Sequence, residues 1–73
     1  MVKVYSKPDC KQCDMTYKVL ASEGVDYEVI NVTVSDAGFE KVRELGYLQV
    51  PVVVTDTDHW SGFRPDKIKE IAA

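Results

Sequence analysis

Lys7-Pro8-Asp9-Cys10-Lys11-Gln12-Cys13 carries both cysteines of the chain, two residues apart, between an alternating apolar segment and one with helical spacing. Thiols at this spacing can cycle between dithiol and disulfide, and their place at a strand–helix junction organises the reading of everything else. Upstream, Val2-Lys3-Val4-Tyr5 alternates and is rich in β-formers, so a first strand is predicted. Ser6-Lys7-Pro8-Asp9 is a polar turn in which Pro8 pushes Lys7 away from helical dihedrals. Helical spacing then runs from about Lys11 to Glu23. Cys13, Thr16, Tyr17 and Leu20 fall on one side, with Met15 and Val19 beside them. Asp9 is suited to cap the start, and Gly24 to stop the end.

Beyond Gly24, Tyr27 to Val32 reads as a second strand, and strand, helix, strand within about 30 residues is a right-handed βαβ unit. Ser35-Asp36 caps a second helix over Ala37 to Leu45, with Phe39, Val42 and Leu45 as its apolar positions. Gly38 weakens that helix by up to about 1 kcal/mol relative to alanine. Val50-Pro51-Val52-Val53-Val54-Thr55 is a third strand opened by a proline that cannot donate to a ladder. Asp56-Thr57-Asp58 turns the chain into a short fourth strand over His59 to Phe63. Pro65 suits the first position of a last helix with Asp66 in its first turn and Ile68, Ile71 and Ala72 facing inward. The predicted fold is α/β, a βαβαββα chain with a four-stranded mixed sheet and helices on both faces, forming one domain over residues 1–73.

Composition narrows the partners. Twelve acidic against nine basic residues give a net charge of -3, with no basic stripe for nucleic acid. The longest apolar run, Val50 to Val54, is far short of the roughly 20 residues that cross a membrane. Met1 leads straight into strand pattern, leaving no room for a signal peptide, so a cytoplasmic protein is expected. Cytosolic thiols are kept reduced, and a disulfide closing so short a loop removes little unfolded-chain entropy. A redox-active pair is therefore favoured over a structural disulfide.

Exchange needs a thiolate, which an ordinary cysteine with a pKa of about 8.5 supplies sparingly at neutral pH. Cys10 sits just before the first helix, where free amides and the positive end of the dipole stabilise negative charge. Lys7 and Lys11 add positive charge nearby, while Asp9 and Asp14 oppose it. A lowered Cys10 pKa is expected, and Cys13, one turn into the helix, should be more buried. Cys10 then attacks and Cys13 resolves. The same spacing also binds metals, but a zinc site wants four protein ligands, or three plus water. Cys10, Cys13 and His59 are the only soft candidates, and a cluster would need ligands from another molecule. No metal is expected, and a noncatalytic metal-binding module stands as the rival reading. Pro51 reads either as an edge-strand breaker or as a cis proline that turns the Val50 backbone toward a bound extended chain.

The strand–Cys-x-x-Cys–helix opening, Val50-Pro51-Val52-Val53 and Trp60-Ser61-Gly62-Phe63-Arg64-Pro65 together resemble a glutaredoxin-like NrdH-type redoxin of the thioredoxin superfamily. The likeness spans essentially the whole chain. It implies a thioredoxin-like fold, a cis Val50-Pro51 bond, Cys10 as nucleophile and Cys13 as resolver. It further implies a thiol–disulfide oxidoreductase with no bound cofactor; a monomer is expected. Its electrons would come from NADPH through thioredoxin reductase and pass to class Ib ribonucleotide reductase. Lys7 and Val50-Pro51 match positions that hold glutathione in true glutaredoxins. The Gly-Gly and Asp-Asp pairs gripping its other end are replaced by Ser61-Gly62 and Arg64-Pro65. Losing acidic partners for the ligand's amino group removes bonds worth roughly 1.5–3 kcal/mol each, so weak glutathione binding is expected. A glutathione-dependent glutaredoxin is the alternative within the fold.

On the same resemblance Trp60 and Phe63 shape the rim and brace the Cys10 loop, with Ser61 bonding locally. Read without it, both aromatics are core. Arg64 is a solvated cation or a contact to reductase acids, and Gln12 contacts partners or faces solvent. His59 is an exposed hairpin residue, and Lys67, Lys69 and Glu70 form an exposed helix face. Lys11 departs from the family's usual apolar residue and puts a charge on the contact face.

Overall fold

β1 (Val2–Ser6) is the strand on which the molecule is assembled. In the computed structural model, which describes residues 1–73, β1 pairs in parallel with β2 (Tyr27–Asn31) and antiparallel with β3 (Val52–Val54). β4 (His59–Ser61) pairs antiparallel with β3 and completes a four-stranded sheet of order β2-β1-β3-β4. Three helices, α1 (Lys11–Ser22), α2 (Asp36–Glu44) and α3 (Pro65–Ala72), connect and cover it. The βαβαββα order and mixed sheet are those expected.

Register and pleat divide the core in two. Val4 lies opposite Val53, and Val53 opposite Trp60. These three point to one face, where Leu20 of α1 and Ile68 of α3 close over them. The next residues along, Tyr5 and Val52, point to the other face and pack against Val42 of α2. Leu20 and Ile68 are fully buried, and each such side chain contributes about 1.5–3 kcal/mol.

Three local expectations are corrected. Asp9 does not cap α1: it is left-handed (φ 55), and the extended cap position falls to Cys10, whose sulfur accepts from the Cys13 amide at 3.2 Å. Phe39 is not a core position but 47% exposed. Its helix faces the sheet through Gly38, Val42 and Leu45, because Gly38 approaches β2 so closely that a Cβ there would stand 2.6 Å from Ile30 Cγ2. Ala72, in the last turn of α3, is exposed, leaving Ile68 and the half-buried Ile71 to face inward.

The contact at Gly38 carries an expected result. Alanine improves helix propensity by up to about 1 kcal/mol, while forcing a methyl into a packed interface costs about 1–3 kcal/mol. Gly38→Ala should therefore lower stability by about 1 kcal/mol in urea denaturation, against the usual gain in a helix. A more stable variant would show that Ile30 yields freely.

Candidate functional site

The Cys10 loop is anchored from below. Ser6, at the end of β1, is 3% exposed; its hydroxyl accepts from the Tyr17 hydroxyl and donates to the Lys7 carbonyl at 3.4 Å. Tyr17 in turn stacks parallel on Tyr27, the ring centroids 5.7 Å apart, so the start of the loop is tied to α1 and β2 together. Neither Tyr17 nor its bond to Ser6 was singled out in the sequence, since an aromatic on the helical stripe reads as core. Beyond the left-handed Asp9 the chain enters α1 at Cys10, which is joined to Cys13 as a disulfide with a Cα–Cα distance of 5.2 Å. Cys10 is half-buried, whereas Cys13 is 1% exposed.

The facing wall is the segment from Tyr47 to Pro51. Its Val50-Pro51 peptide bond is cis. Two residues at the end of β4 fasten it: the Ser61 hydroxyl donates to the Gln49 carbonyl at 3.0 Å, and the Gly62 amide to the Pro51 carbonyl at 2.8 Å. Ser61 thus bonds across the fold rather than locally. The N–H and C=O of Val50 make no intramolecular hydrogen bond. They are left to pair with something else.

Between the walls runs an open groove of about 750 Å³. Lys7, Cys10, Lys11, Gln12 and Val50 line it, so the structure brings these expected site residues together. Pro51 lies buried just behind Val50. The far end comprises residues not anticipated, Phe39 and Arg43 of α2 with Tyr47 and Leu48, the Arg43 guanidinium lying 5.8 Å from the Phe39 ring centre. No sequence signal marked them: Phe39 and Leu48 are large apolar side chains left exposed by the fold, Leu48 to 98%, which spacing alone does not reveal.

The Trp60–Arg64 segment does not line the groove. Trp60 is a correction to the rim expectation: it is 4% exposed, packed among Val4, Leu20, Val53 and Ile68, with its Nε1–H unpartnered. Phe63 is half-buried. Arg64 is not a free cation; it donates twice to the Asp66 carboxylate, at 3.1 and 2.9 Å, holding that carboxyl below its usual range. Gly62 supports the site through backbone alone, with Gln12 Oε1 3.7 Å from where a Cβ on it would stand. His59 is exposed, its Nδ1 2.7 Å from the Tyr47 hydroxyl.

The glutaredoxin family model matches residues 2–60, from β1 to Trp60, and so takes in both walls of the groove. The chain belongs to the glutaredoxin family. Within it, the chain is 39% identical to the glutaredoxin-like protein NrdH of Escherichia coli K12 over 70 residues, covering 96% of this chain and 86% of that one. It is likewise 39% identical to NrdH of Lactococcus lactis subsp. lactis over 72 residues, 99% of this chain and all (100%) of that one. The solved structure of the E. coli NrdH-redoxin superposes with a TM-score of 0.91 at 38% identity, covering 96% of this chain and 92% of that one. The protein is accordingly a glutaredoxin-like thiol–disulfide oxidoreductase of thioredoxin-like fold. No helix of this redoxin is long and apolar enough to cross a membrane.

Proposed function

We propose that this redoxin carries two electrons from NADPH, by way of thioredoxin reductase, to disulfides of other proteins, foremost class Ib ribonucleotide reductase. The observation that supports this most is the asymmetry of the pair: Cys10 lines the groove at a helix N-terminus, while Cys13 lies buried behind it. The Cys13 amide, already aimed at the Cys10 sulfur, and the free amides of the first turn favour negative charge there. The Cys10 thiolate attacks one sulfur of the target disulfide, forming a mixed disulfide and expelling a target thiolate. Cys13, surrendering its proton, then attacks Cys10, closes the Cys10–Cys13 bond and releases the second target thiolate. Two electrons and two protons pass from the dithiol to the two target thiols.

The extended target chain docks along Val50, whose free backbone groups offer one rung of a β-ladder beside Cys10. No bound cofactor is required, and the protein acts as a cytoplasmic monomer.

Reductase rather than glutathione as the electron source rests on the segment from Ser61 to Asp66. Ser61 is bonded to Gln49, and the carboxylate of Asp66 is already paired with Arg64, so no free acid in this segment grips an amino group. The E. coli NrdH-redoxin, described as having a thioredoxin-like activity profile, supports the same reading. The test is NADPH oxidation with thioredoxin reductase and the oxidised protein. Rapid, stoichiometric consumption is expected, with glutathione plus glutathione reductase giving a much slower rate. No consumption in the first mixture, or comparable rates in both, would contradict the electron route.

A further inference from the structure

The groove beside Cys10 differs in charge from the molecule that carries it. Three of the nine cationic residues line it, Lys7, Lys11 and Arg43, against one of the twelve acidic residues, Asp9. None of the three cations has an ion-pair partner, and all are exposed. Elsewhere eleven acidic residues stand against six basic ones, so a surface of net charge -5 surrounds a cleft of +2. Clefts of one sign beside low-dielectric walls focus the field and raise the local concentration of oppositely charged ligands. Along the chain, cations stand on both sides of Cys10, with Asp9 between it and Lys7. Lys7 and Lys11 bracket Cys10, whereas Arg43 sits across the groove on α2 beside the exposed ring of Phe39.

From this charge complementarity we infer that the groove selects extended, acidic polypeptide segments, in which carboxylates flank the target disulfide and an apolar side chain lies on Phe39 and Leu48. The inference rests on the dithiol-carrier function and names the substrate class of that same site. It gives Lys11 a role: a positive charge next to the attacking cysteine ranks target disulfides by the sign of their neighbours. Arg43 extends the preference to the α2 side of the groove, beside Phe39. Electrostatic selection of this kind acts mainly on the encounter rate and is screened by salt.

The experiment uses full-length protein, reduced and freed of reductant, mixed with disulfide peptides that differ only in flanking residues: Glu, Gln or Lys. Exchange is followed by product thiols. In low salt, about 0.01 M, where screening acts over roughly 30 Å, the Glu peptide should react about tenfold faster than the Lys peptide. The ratio should fall toward one at about 1 M, where screening acts over roughly 3 Å. Lys11→Val with Arg43→Gln, both at exposed positions, should bring the low-salt ratio to about twofold or less. The ratio, unlike either rate alone, is insensitive to a uniform change in Cys10 nucleophilicity. Equal rates, a preference for Lys flanks, or a ratio unmoved by the double substitution would overturn the inference while leaving the carrier function standing. No exchange with any peptide would instead overturn the carrier function itself.

Discussion

Replacing Cys10 by serine should abolish disulfide reduction, lowering the rate at least about a thousandfold, because no thiolate remains to attack. The substitution is a clean one. Cys10 occupies the extended cap position of α1, with its sulfur accepting from the Cys13 amide at 3.2 Å. Serine is among the residues most favoured at a helix N-cap, and its hydroxyl can take over the same bond. The variant should therefore match the reduced wild type in urea denaturation within about 0.5 kcal/mol. Loss of activity together with loss of fold would mean that the cysteine serves the helix rather than the chemistry. The corresponding change at Cys13 differs, since that side chain is 1% exposed and a buried hydroxyl needs a partner.

The largest stability effect should come from Trp60. Its indole fills the space between Val4, Leu20, Val53 and Ile68, so Trp60→Ala empties the centre of the sheet's α1–α3 face. Such a truncation costs about 3–5 kcal/mol, most of what holds a domain of this size, whose total lies toward the low end of about 5–15 kcal/mol. Circular dichroism should show a variant largely unfolded by mild urea. Trp60→Phe should be far milder, about 1 kcal/mol, because it keeps most of the apolar contact and removes a buried Nε1–H that has no partner. Had Trp60 shaped the groove rim, both changes would leave the urea midpoint in place and slow docking instead.

Trp60 also marks where sequence reading runs out. The stripe of β-formers in β1, a third strand about the Val52–Val54 run (expected over Val50 to Thr55, and beginning only after Pro51) and the helix starting beside the cysteines were all legible, because period, propensity and turn chemistry agree there. The sequence reading placed Trp60 both in the core and at the rim, and only pairing with Val53 sends it inward. Phe39 failed for a related reason. Spacing of three puts it on a stripe with Val42, but the close contact at Gly38 rotates α2 so that residues 38, 42 and 45 face the sheet. Phe39 is thereby turned toward the groove. At Asp9 propensity pointed one residue early: aspartate is the better cap, yet its left-handed backbone passes that position to Cys10. The cysteines, Lys7 and Val50 were readable because short local motifs carry them. Arg43, Tyr47 and Leu48 reach the same groove only through tertiary folding.

In the proposed mechanism Cys10 attacks from the groove and Cys13 resolves from behind it. Mass spectrometry of the Cys13→Ser variant, reduced and mixed with a disulfide-bonded protein target, tests this most directly. A stable mixed disulfide is expected in high yield, with the target peptide mapped to Cys10 and the bond to Val50 detectable as amide protection. A complex that fails to accumulate, or an equally stable one trapped through Cys13 in the Cys10→Ser variant, would contradict it.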